Sequence, residues 1–468
     1  MSIVEEVLKQ NLEAGWSKEE FKNINCGDKR IDKRFHKVTE QLSETPTKSI
    51  NQSCKCWADT KAAYRLFGNE KVTKEKILGS HQKLTIERIK SQKRVLLIQD
   101  TTYLDFTNHK KKFGLGPIGT DAQNIQGVIL HSTLAETETG LPLGVLNQEI
   151  WVRNNEEKGH KEKRKELPIE EKESNKWLSS LEKSEKMKPE GVEFVTVCDR
   201  EADVYEFFVK ARELKSKILI RASQDRKLSE ESCKLWEHME SQDIKGRLEI
   251  EVPKKDKQKK RKAILAVRYG TITLNPPKHL KASEKKRLGT VTIDAILAQE
   301  INAPGNVTPL EWMLLTNVAV KTFEDAIERL SWYKRRWDIE VYHKVIKSGC
   351  CVENCRLQRL DRLIPYITLN CIIAWRLLWM TKINIEEPDA PCIAVLDEHE
   401  WRALYVNIHS TKVLPEKLPT VREVIRWIGQ LGGFLARKGD KEPGITAIWR
   451  GWERLHDIAH MWLVMEYC

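Results

Sequence analysis

The residues in this sequence best suited to chemistry are two aspartates that each follow a short apolar run. Asp100 follows VLLIQ, and Asp199 follows VEFVTVC. Such runs predict buried strands, and in open α/β sheets functional groups gather at the carboxyl ends of strands. With a third acid, this arrangement would suit oxygen ligation of Mg²⁺, and two such ions can activate a nucleophile and stabilise a leaving oxygen. A strand-end aspartate can also be a helix cap or turn former, as can the nearby Asp105 and Asp203.

The third acid is Glu340, in the segment 333–347, which reads YKRRWDIEVYHKVIK. The segment has no Pro or Gly and predicts a helix. At 100° per residue, one face of that helix, a sector of roughly 60°, contains Tyr333, Arg336, Glu340 and Lys347. A phenol and two cations around a single acid are expected where a polyanion meets a metal ion. The alternative is a solvated, salt-bridged surface helix, because charge runs on helices are usually solvated faces.

The elements that must position these residues predict an α/β fold. Three strands, a helix, a strand, a helix and a strand follow one another from Val95 onward, which is the order of a ribonuclease H-like core. Short alternating runs then predict an antiparallel β insertion over about 228–315, near whose end lies a strand that carries Trp312. The predicted domains are a helical domain over 1–75, the catalytic α/β domain over 76–385 and a helical C-terminal domain over 386–468.

Composition describes a highly charged globular chain of 468 residues, with 80 Lys+Arg against 68 Asp+Glu and a formal net charge of +12. A basic excess of this size favours a polyanionic partner, nucleic acid first, although it is also compatible with solubility alone. No stretch reaches about 18 consecutive apolar residues and the start MSIVEEVLKQ lacks signal-peptide features, so we expect a cytosolic protein without a membrane span. Cys350, Cys351 and Cys355 follow His343, but no paired CxxC motif accompanies them, which disfavours zinc.

Basic clusters mark two further regions that could contact DNA. In the first helical domain, one short segment clusters Lys29, Arg30, Lys33 and Arg34, and a later predicted helix carries Lys61 and Arg65. They predict a small DNA-recognition unit, with an ordinary helical cap and solvated charges as the alternative. In the insertion, the predicted turns at 254–262 and 281–287 are rich in lysine, and they are either DNA-backbone contacts or solubility features.

Together these motifs resemble the DDE transposases of bacterial insertion sequences, in particular the insertion-sequence-four family of the transposon-Tn-five type. The motifs are QDTT at Asp100, VCDREAD at Asp199 and the spacing Y-(2)-R-(3)-E-(6)-K from Tyr333 to Lys347. AAYRLF, HQKLTIERI, PLEWMLLT, LGGFLARK and WRGWERL extend the resemblance along nearly the whole chain. The resemblance implies a ribonuclease H-like core interrupted by a β insertion. It also implies cut-and-paste transposition through a DNA hairpin, with two Mg²⁺ ions that Mn²⁺ can replace.

The resemblance also implies partners and residue roles. The protein would act on transposon ends and target DNA as a homodimer, joined through its C-terminal domain, at the nucleoid of a bacterial cytoplasm. The metal-binding catalytic triad would be Asp100, Asp199 and Glu340. Tyr333, Arg336 and Lys347 would hold phosphates near the transposon end, and Trp312 would stack on a flipped base. The further candidates for DNA contacts are Arg221, Trp337, His343, Lys344, Arg30, Arg34 and Arg65.

Two other functions fit parts of the sequence. One is a ribonuclease H-like nuclease or resolvase that cleaves without strand transfer, and the other is a DNA-binding repressor derived from a transposase. The Trp312 motif and the helical end domains argue against the first. The complete set of acids and signature residues shows none of the decay that the second would permit.

Overall fold

The computed structural model of the protein describes residues 15–119, 124–154, 167–228, 233–252, 260–278, 280–305 and 307–466. It has a mixed α/β fold with a central sheet and flanking helices. The chain forms two compact units. The first unit comprises Met1–Lys93, Thr101–His160 and Asp338–Cys468, and the second comprises Arg94–Asp100 and Lys161–Trp337.

The helices and strands are numbered here in chain order. The helices are α1 (Trp16–Glu20), α2 (Lys29–Glu44), α3 (Ile50–Ser53), α4 (Trp57–Phe67), α5 (Lys74–Lys90), α6 (Asn175–Lys186), α7 (Tyr205–Leu214), α8 (Leu235–Ser241), α9 (Ala282–Leu288), α10 (Phe323–Lys344), α11 (Leu360–Glu386), α12 (Glu398–His409), α13 (Val421–Leu431) and α14 (Ile445–Glu466). The strands are β1 (Arg94–Asp105), β2 (Gly116–Pro117), β3 (Gln126–Glu136), β4 (Pro142–Trp151), β5 (Glu193–Cys198), β6 (Lys217–Arg221), β7 (Gly246–Val252), β8 (Arg261–Leu274), β9 (Val291–Ile301) and β10 (Glu311–Thr316).

The second unit is built on a sheet with the strand order β1–β5–β6–β10–β9–β8–β7. Strands β1, β5 and β6 are parallel, whereas β10 runs antiparallel to both β6 and β9. The antiparallel ladder then continues through β8 to β7. The predicted β insertion therefore exists, and through β10 it extends the same sheet that begins with the parallel strands.

One face of this sheet is covered by helices α6 and α7. Trp177 and Leu181 of α6 and Phe208 of α7 are buried in one cluster with Ile220 of β6 and Leu315 of β10. Apolar residues recur on α6 and α7 at helical spacing, so each helix presents one apolar face to the sheet. Fully burying side chains of this size contributes about 1.5–3 kcal/mol each, which holds the ends of the parallel strands in fixed positions.

The first unit contains the N-terminal helices and the antiparallel β3–β4 hairpin. Helix α2 begins at Lys29 and is capped by Asp28, whose side chain accepts a hydrogen bond from the backbone N–H of Arg30 at 2.9 Å. Arg88 of α5 holds the carboxylate of Glu20 with two bonds of 3.0 Å, and all of this pair is buried. Burial alone would raise the pKa of Glu20, but the charges of Arg88 and His81 outweigh it and lower that pKa to about 2.

The C-terminal helices of the first unit pack on one another and on the N-terminal helices. By length and composition α11 could cross a membrane, but 94% of its most apolar window is buried in the protein, which is the behaviour of a core helix. Helices α13 and α14 approach closely at Gly451, where an added Cβ would lie 1.7 Å from the carbonyl oxygen of Ile428. The indole N–H of Trp452 donates to the carbonyl of Ser43 at 2.9 Å, which ties α14 to the N-terminal helices.

Strand β1 is longer than the sequence predicts. The strand was expected to end at Asp100, but it continues to Asp105, so Asp100 lies inside the strand. The residues that follow, Thr101, Thr102 and Tyr103, are β-branched or aromatic and favour extended backbone. Asp199, in contrast, does follow the last residue of β5, as predicted.

The segment 281–287, expected to be a basic turn, forms most of helix α9 instead. Its Ala, Glu, Lys and Arg residues are strong helix formers, and no Gly or Pro interrupts them. Of the other predicted basic turn, only 260–262 belong to the part of the chain that the structure describes. The start MSIVEEVLKQ lies outside the described residues.

The helix predicted over 333–347 differs from the observed helix at both ends. Helix α10 begins at Phe323 and its regular α-helical part ends at Lys344, after which Val345–Gly349 form a π-helical turn. A π-turn is wider than an α-turn, so the 100° spacing does not hold as far as Lys347. The predicted stripe therefore applies to Tyr333, Arg336 and Glu340 only.

Candidate active site

Asp100, inside β1, and Asp199, directly after β5, lie next to each other because these two parallel strands are neighbours. The register of β1 and β5 pairs Ile98 with Val197. Continuing it by two residues places Asp100 next to Asp199, and adjacent strands are about 4.8 Å apart. Burial and the charges of both aspartates raise the pKa of the Cys198 thiol, which shows that both carboxylates lie near it. The sequence therefore predicted the proximity of these two acids correctly.

Arg336 of α10 lies close to both carboxylates. Its Nη1 is 3.8 Å from Oδ2 of Asp100, and both side chains are 17% exposed. Burial raises the pKa of Asp199, while the backbone N–H of Glu201, at 2.8 Å from Asp199 Oδ1, and the charge of Arg336 act to lower it. Asp199 also caps the short 3₁₀ turn Arg200–Ala202, so the turn-forming alternative is correct for this residue as well.

Tyr333, Arg221 and Trp312 all lie in the second unit, where Tyr333 interacts with both of the other residues. Arg221 donates through Nη2 to the carbonyl of Glu311 at 2.8 Å, and Tyr333 is its side-chain hydrogen-bond partner. Burial lowers the pKa of Arg221 and raises that of Tyr333. The rings of Trp312 and Tyr333 meet edge to face with centroids 6.2 Å apart. The structure thus links an aromatic pair to a half-buried guanidinium.

Among the remaining predicted residues of α10, Trp337 is 61% exposed. Glu340 lies in the part of α10 that belongs to the first unit and is half-buried. His343 is buried, whereas Lys344 is exposed and its Nζ lies 6.0 Å from the ring centre of Trp449. Lys347 is half-buried within the π-turn. Exposure therefore favours Trp337 and Lys344 over His343 as surface contacts.

Asp203 has a role that the sequence did not indicate. Its side chain is fully buried, and Oδ2 accepts from the backbone N–H groups of Ser223 at 2.7 Å and Gln224 at 2.8 Å. Arg226 donates to its other oxygen. Asp203 therefore anchors the segment that directly follows Arg221. The second Asp of VCDREAD was the only sequence feature that pointed to this residue. Spacing alone does not distinguish an aspartate that anchors a loop from one that binds a metal ion.

Asp100 and Asp199 offer neighbouring carboxylates to a cation. In the described part of the chain, no group of three or more His, Cys, Asp or Glu residues is gathered as a metal site requires. Mg²⁺, however, is usually bound through one or two carboxylates together with waters and substrate phosphates. The neighbouring carboxylates of Asp100 and Asp199 fit that pattern, and burial raises the pKa of Asp199 although the charge of Arg336 acts to lower it.

The predicted DNA contacts of the N-terminal helices lie on the first unit. The Arg30 side chain is 92% exposed and pairs with Asp28 at 3.2 Å. Arg65 is exposed, and Arg34 is half-buried. All three are accessible to a ligand, so the structure is compatible with a basic binding surface here.

Two models of known protein families match the ends of the chain. The model described as Transposase DNA-binding matches residues 13–72, which include α1 to α4. The model described as Transposase Tn5 dimerisation domain matches residues 372–463, which include α12 and α13 and most of α11 and α14. Both matched regions belong to the first unit.

Proposed function

The chain is a Tn5-like transposase, and from this premise we propose that it excises an insertion sequence and joins it to target DNA. In the proposed reaction it binds the terminal inverted repeats, cuts the ends through a hairpin intermediate and transfers the freed strands. Its α/β part would be a ribonuclease H-like core interrupted by the β7–β9 insertion. The reaction consists of phosphodiester hydrolysis and transesterification.

The observation that carries this proposal is the pairing of Asp100 with Asp199 beside Arg336. Two adjacent carboxylates with a guanidinium next to them can hold cations and a phosphate at the same place. We propose that Asp100, Asp199 and Glu340 hold Mg²⁺, or Mn²⁺ in its place. The metal would supply activation of the attacking oxygen and stabilisation of the leaving oxygen.

The protein side chains around the acids would position the DNA. Arg336 has the fork geometry that selects a phosphate, and Lys347 would add a point charge. Tyr333 and Arg221, linked by their hydrogen bond, would line the path of the scissile strand. Trp312 would stack on a base that leaves the helix when the hairpin forms, which offsets about 1–3 kcal/mol of the unstacking cost. Trp337, His343 and Lys344 are proposed as secondary contacts.

The matched end domains account for the partners. DNA binding by 13–72 and dimerisation through 372–463 imply that the working form is a homodimer on DNA. We propose that Arg30, Arg34 and Arg65 contact the terminal repeats. A bacterial cytoplasm, where DNA is directly accessible, is the proposed location.

The experiment is a gel assay with end-labelled duplex that carries the inverted repeats bounding the reading frame. With Mg²⁺ the transposase should give a nick, then a hairpin, and then strand-transfer product on added target DNA. Cleavage without hairpin and without strand transfer would instead support a ribonuclease H-like nuclease. Binding without any cleavage would support a repressor.

A further inference from the structure

Helix α4 carries an exposed tryptophan that the function described above does not use. Trp57 is 75% exposed, although tryptophan is usually among the more buried residues. It is the first residue of α4 and lies within the matched DNA-binding region. The side chain is therefore displayed on the surface of a domain whose partner is DNA.

The exposed side chains of α4 form a single stripe. Trp57, Lys61 and Arg65 are spaced four residues apart and are all exposed, and Ala58 beside them is exposed as well. Residues four apart share one face of a helix. The stripe therefore presents an aromatic ring at the start of the helix and two cations along its length.

The opposite face of α4 is fixed in the domain. Ala63, Leu66 and Phe67 are buried, and the Asp59 carboxylate accepts from Lys37 at 2.7 Å and from Gln41 at 3.2 Å, both on α2. These contacts set the rotation of the helix, so the stripe is presented in one orientation. The N-cap residue of α4 makes no side-chain cap hydrogen bond, and an uncapped helix N-terminus favours an anionic ligand such as a phosphate.

From this arrangement, and resting on the proposed function, we propose that Trp57 is a specificity-determining residue for the transposon end. Helices that read DNA place their N-terminal residues on base edges, while cations along the helix contact phosphates. In this assignment Trp57 makes apolar contact with bases of the terminal repeat, and Lys61 and Arg65 contact the backbone. The charge of the stripe is complementary to DNA, which selects a duplex over an apolar protein surface as its occupant.

The two kinds of contact have different signatures in solution. A phosphate contact adds about 0.9 to the slope of log affinity against log salt, whereas an apolar base contact adds nothing to it. A base contact instead raises the affinity for the cognate sequence relative to other sequences. Salt dependence and sequence preference therefore separate the role of Trp57 from that of its two cationic neighbours.

The experiment measures binding of full-length protein to the terminal-repeat duplex and to a scrambled duplex over a range of salt concentrations. Trp57→Ala should lower the affinity ratio between the two duplexes on the order of tenfold with an unchanged salt slope. Lys61→Ala and Arg65→Ala should each lower the slope by roughly one and weaken both duplexes alike. Trp57→Phe should recover part of the ratio. Phe113→Ala, at an aromatic residue that is 68% exposed and outside both matched regions, is the matched control.

The outcomes distinguish this proposal from the proposed function. If wild-type protein does not prefer the terminal repeat, the proposed function fails. If wild-type protein shows the preference and Trp57→Ala keeps it, only the role of Trp57 is overturned. A Trp57→Ala variant that changes the oligomeric state in light scattering while sequence preference stays intact would likewise overturn it, because the ring would then cover a protein surface. Thermal unfolding of each variant checks that the fold is retained.

Discussion

Arg336 should oppose metal binding in the free protein and yet be required for cleavage. At 3.8 Å and an effective dielectric of about 20, its attraction to Asp100 is about 4 kcal/mol before desolvation. Desolvation and side-chain entropy reduce the net value to about 1–1.5 kcal/mol, which corresponds to roughly tenfold in affinity. Since Arg336 neutralises the carboxylates that we assign to the metal, Arg336→Gln should bind Mn²⁺ about tenfold more tightly.

The same substitution should slow cleavage, because it removes the guanidinium proposed to hold the phosphate. Losing one such donor costs about 10²–10³ in rate in comparable sites. Calorimetric titration without DNA measures the Mn²⁺ affinity, and the end-labelled duplex assay measures the cleavage rate. Arg335→Gln, the same change at the adjacent residue, is the control and should alter neither the Mn²⁺ affinity nor the cleavage rate.

The gain in Mn²⁺ affinity on removal of Arg336 should depend on pH. Arg336 acts to lower the pKa of Asp199. Its removal raises that pKa further, so protons compete better with the metal as the pH falls. The gain in Mn²⁺ affinity should therefore be largest near pH 8 and shrink toward pH 5. If Arg336→Gln binds Mn²⁺ no more tightly than wild type at pH 8, the assigned relation of Arg336 to the metal-binding acids is wrong.

Three further perturbations test the fold and the hairpin step. Arg88→Met leaves the buried Glu20 carboxylate without its bidentate partner and should lower the free energy of unfolding by about 3–5 kcal/mol in urea titrations. Burial and the charge of Asp397 raise the pKa of Glu400 to about 8, so its stabilising contribution is complete below about pH 4.5 and is lost as the pH rises through 8. Glu400→Gln should therefore flatten the decline of Tm between pH 5 and 8, as measured by calorimetry, and leave the protein more stable than wild type at pH 8.5. Trp312→Ala should preserve the first nick but slow hairpin formation about tenfold or more on sequencing gels, whereas Trp312→Phe should recover part of the rate.

Much of the second unit could be predicted from sequence because its signals are local. Continuous apolar runs identified the buried strands, and short alternation identified the insertion. The parallel register of β1 and β5 then follows from the fold class, and with it the proximity of Asp100 and Asp199. These are cases in which hydrophobic pattern and tertiary structure agree.

Other features depended in part or wholly on tertiary contacts. The strand through Asp100 continues although a charged residue interrupts the apolar run, because neighbouring strands pair with it and residues 101–103 favour extended backbone. The π-turn at Val345–Gly349 changes the angular position of Lys347, and no residue type in that segment requires it. The exposure of Trp57 was likewise not predictable, because a tryptophan at a helix start is as consistent with a core as with a surface.

We propose that Asp100, Asp199 and Glu340 act together in DNA cleavage rather than in DNA binding. The most direct test measures cleavage and end binding in parallel for Asp100→Asn, Asp199→Asn and Glu340→Gln, with Asp105→Asn as a control at an exposed acid of the same strand. Each of the three variants should lose cleavage by at least about 10³ while binding the terminal repeat within about twofold of wild type, and the control should retain both. Wild-type cleavage by any one of the three, or loss of end binding in all of them, would contradict the account.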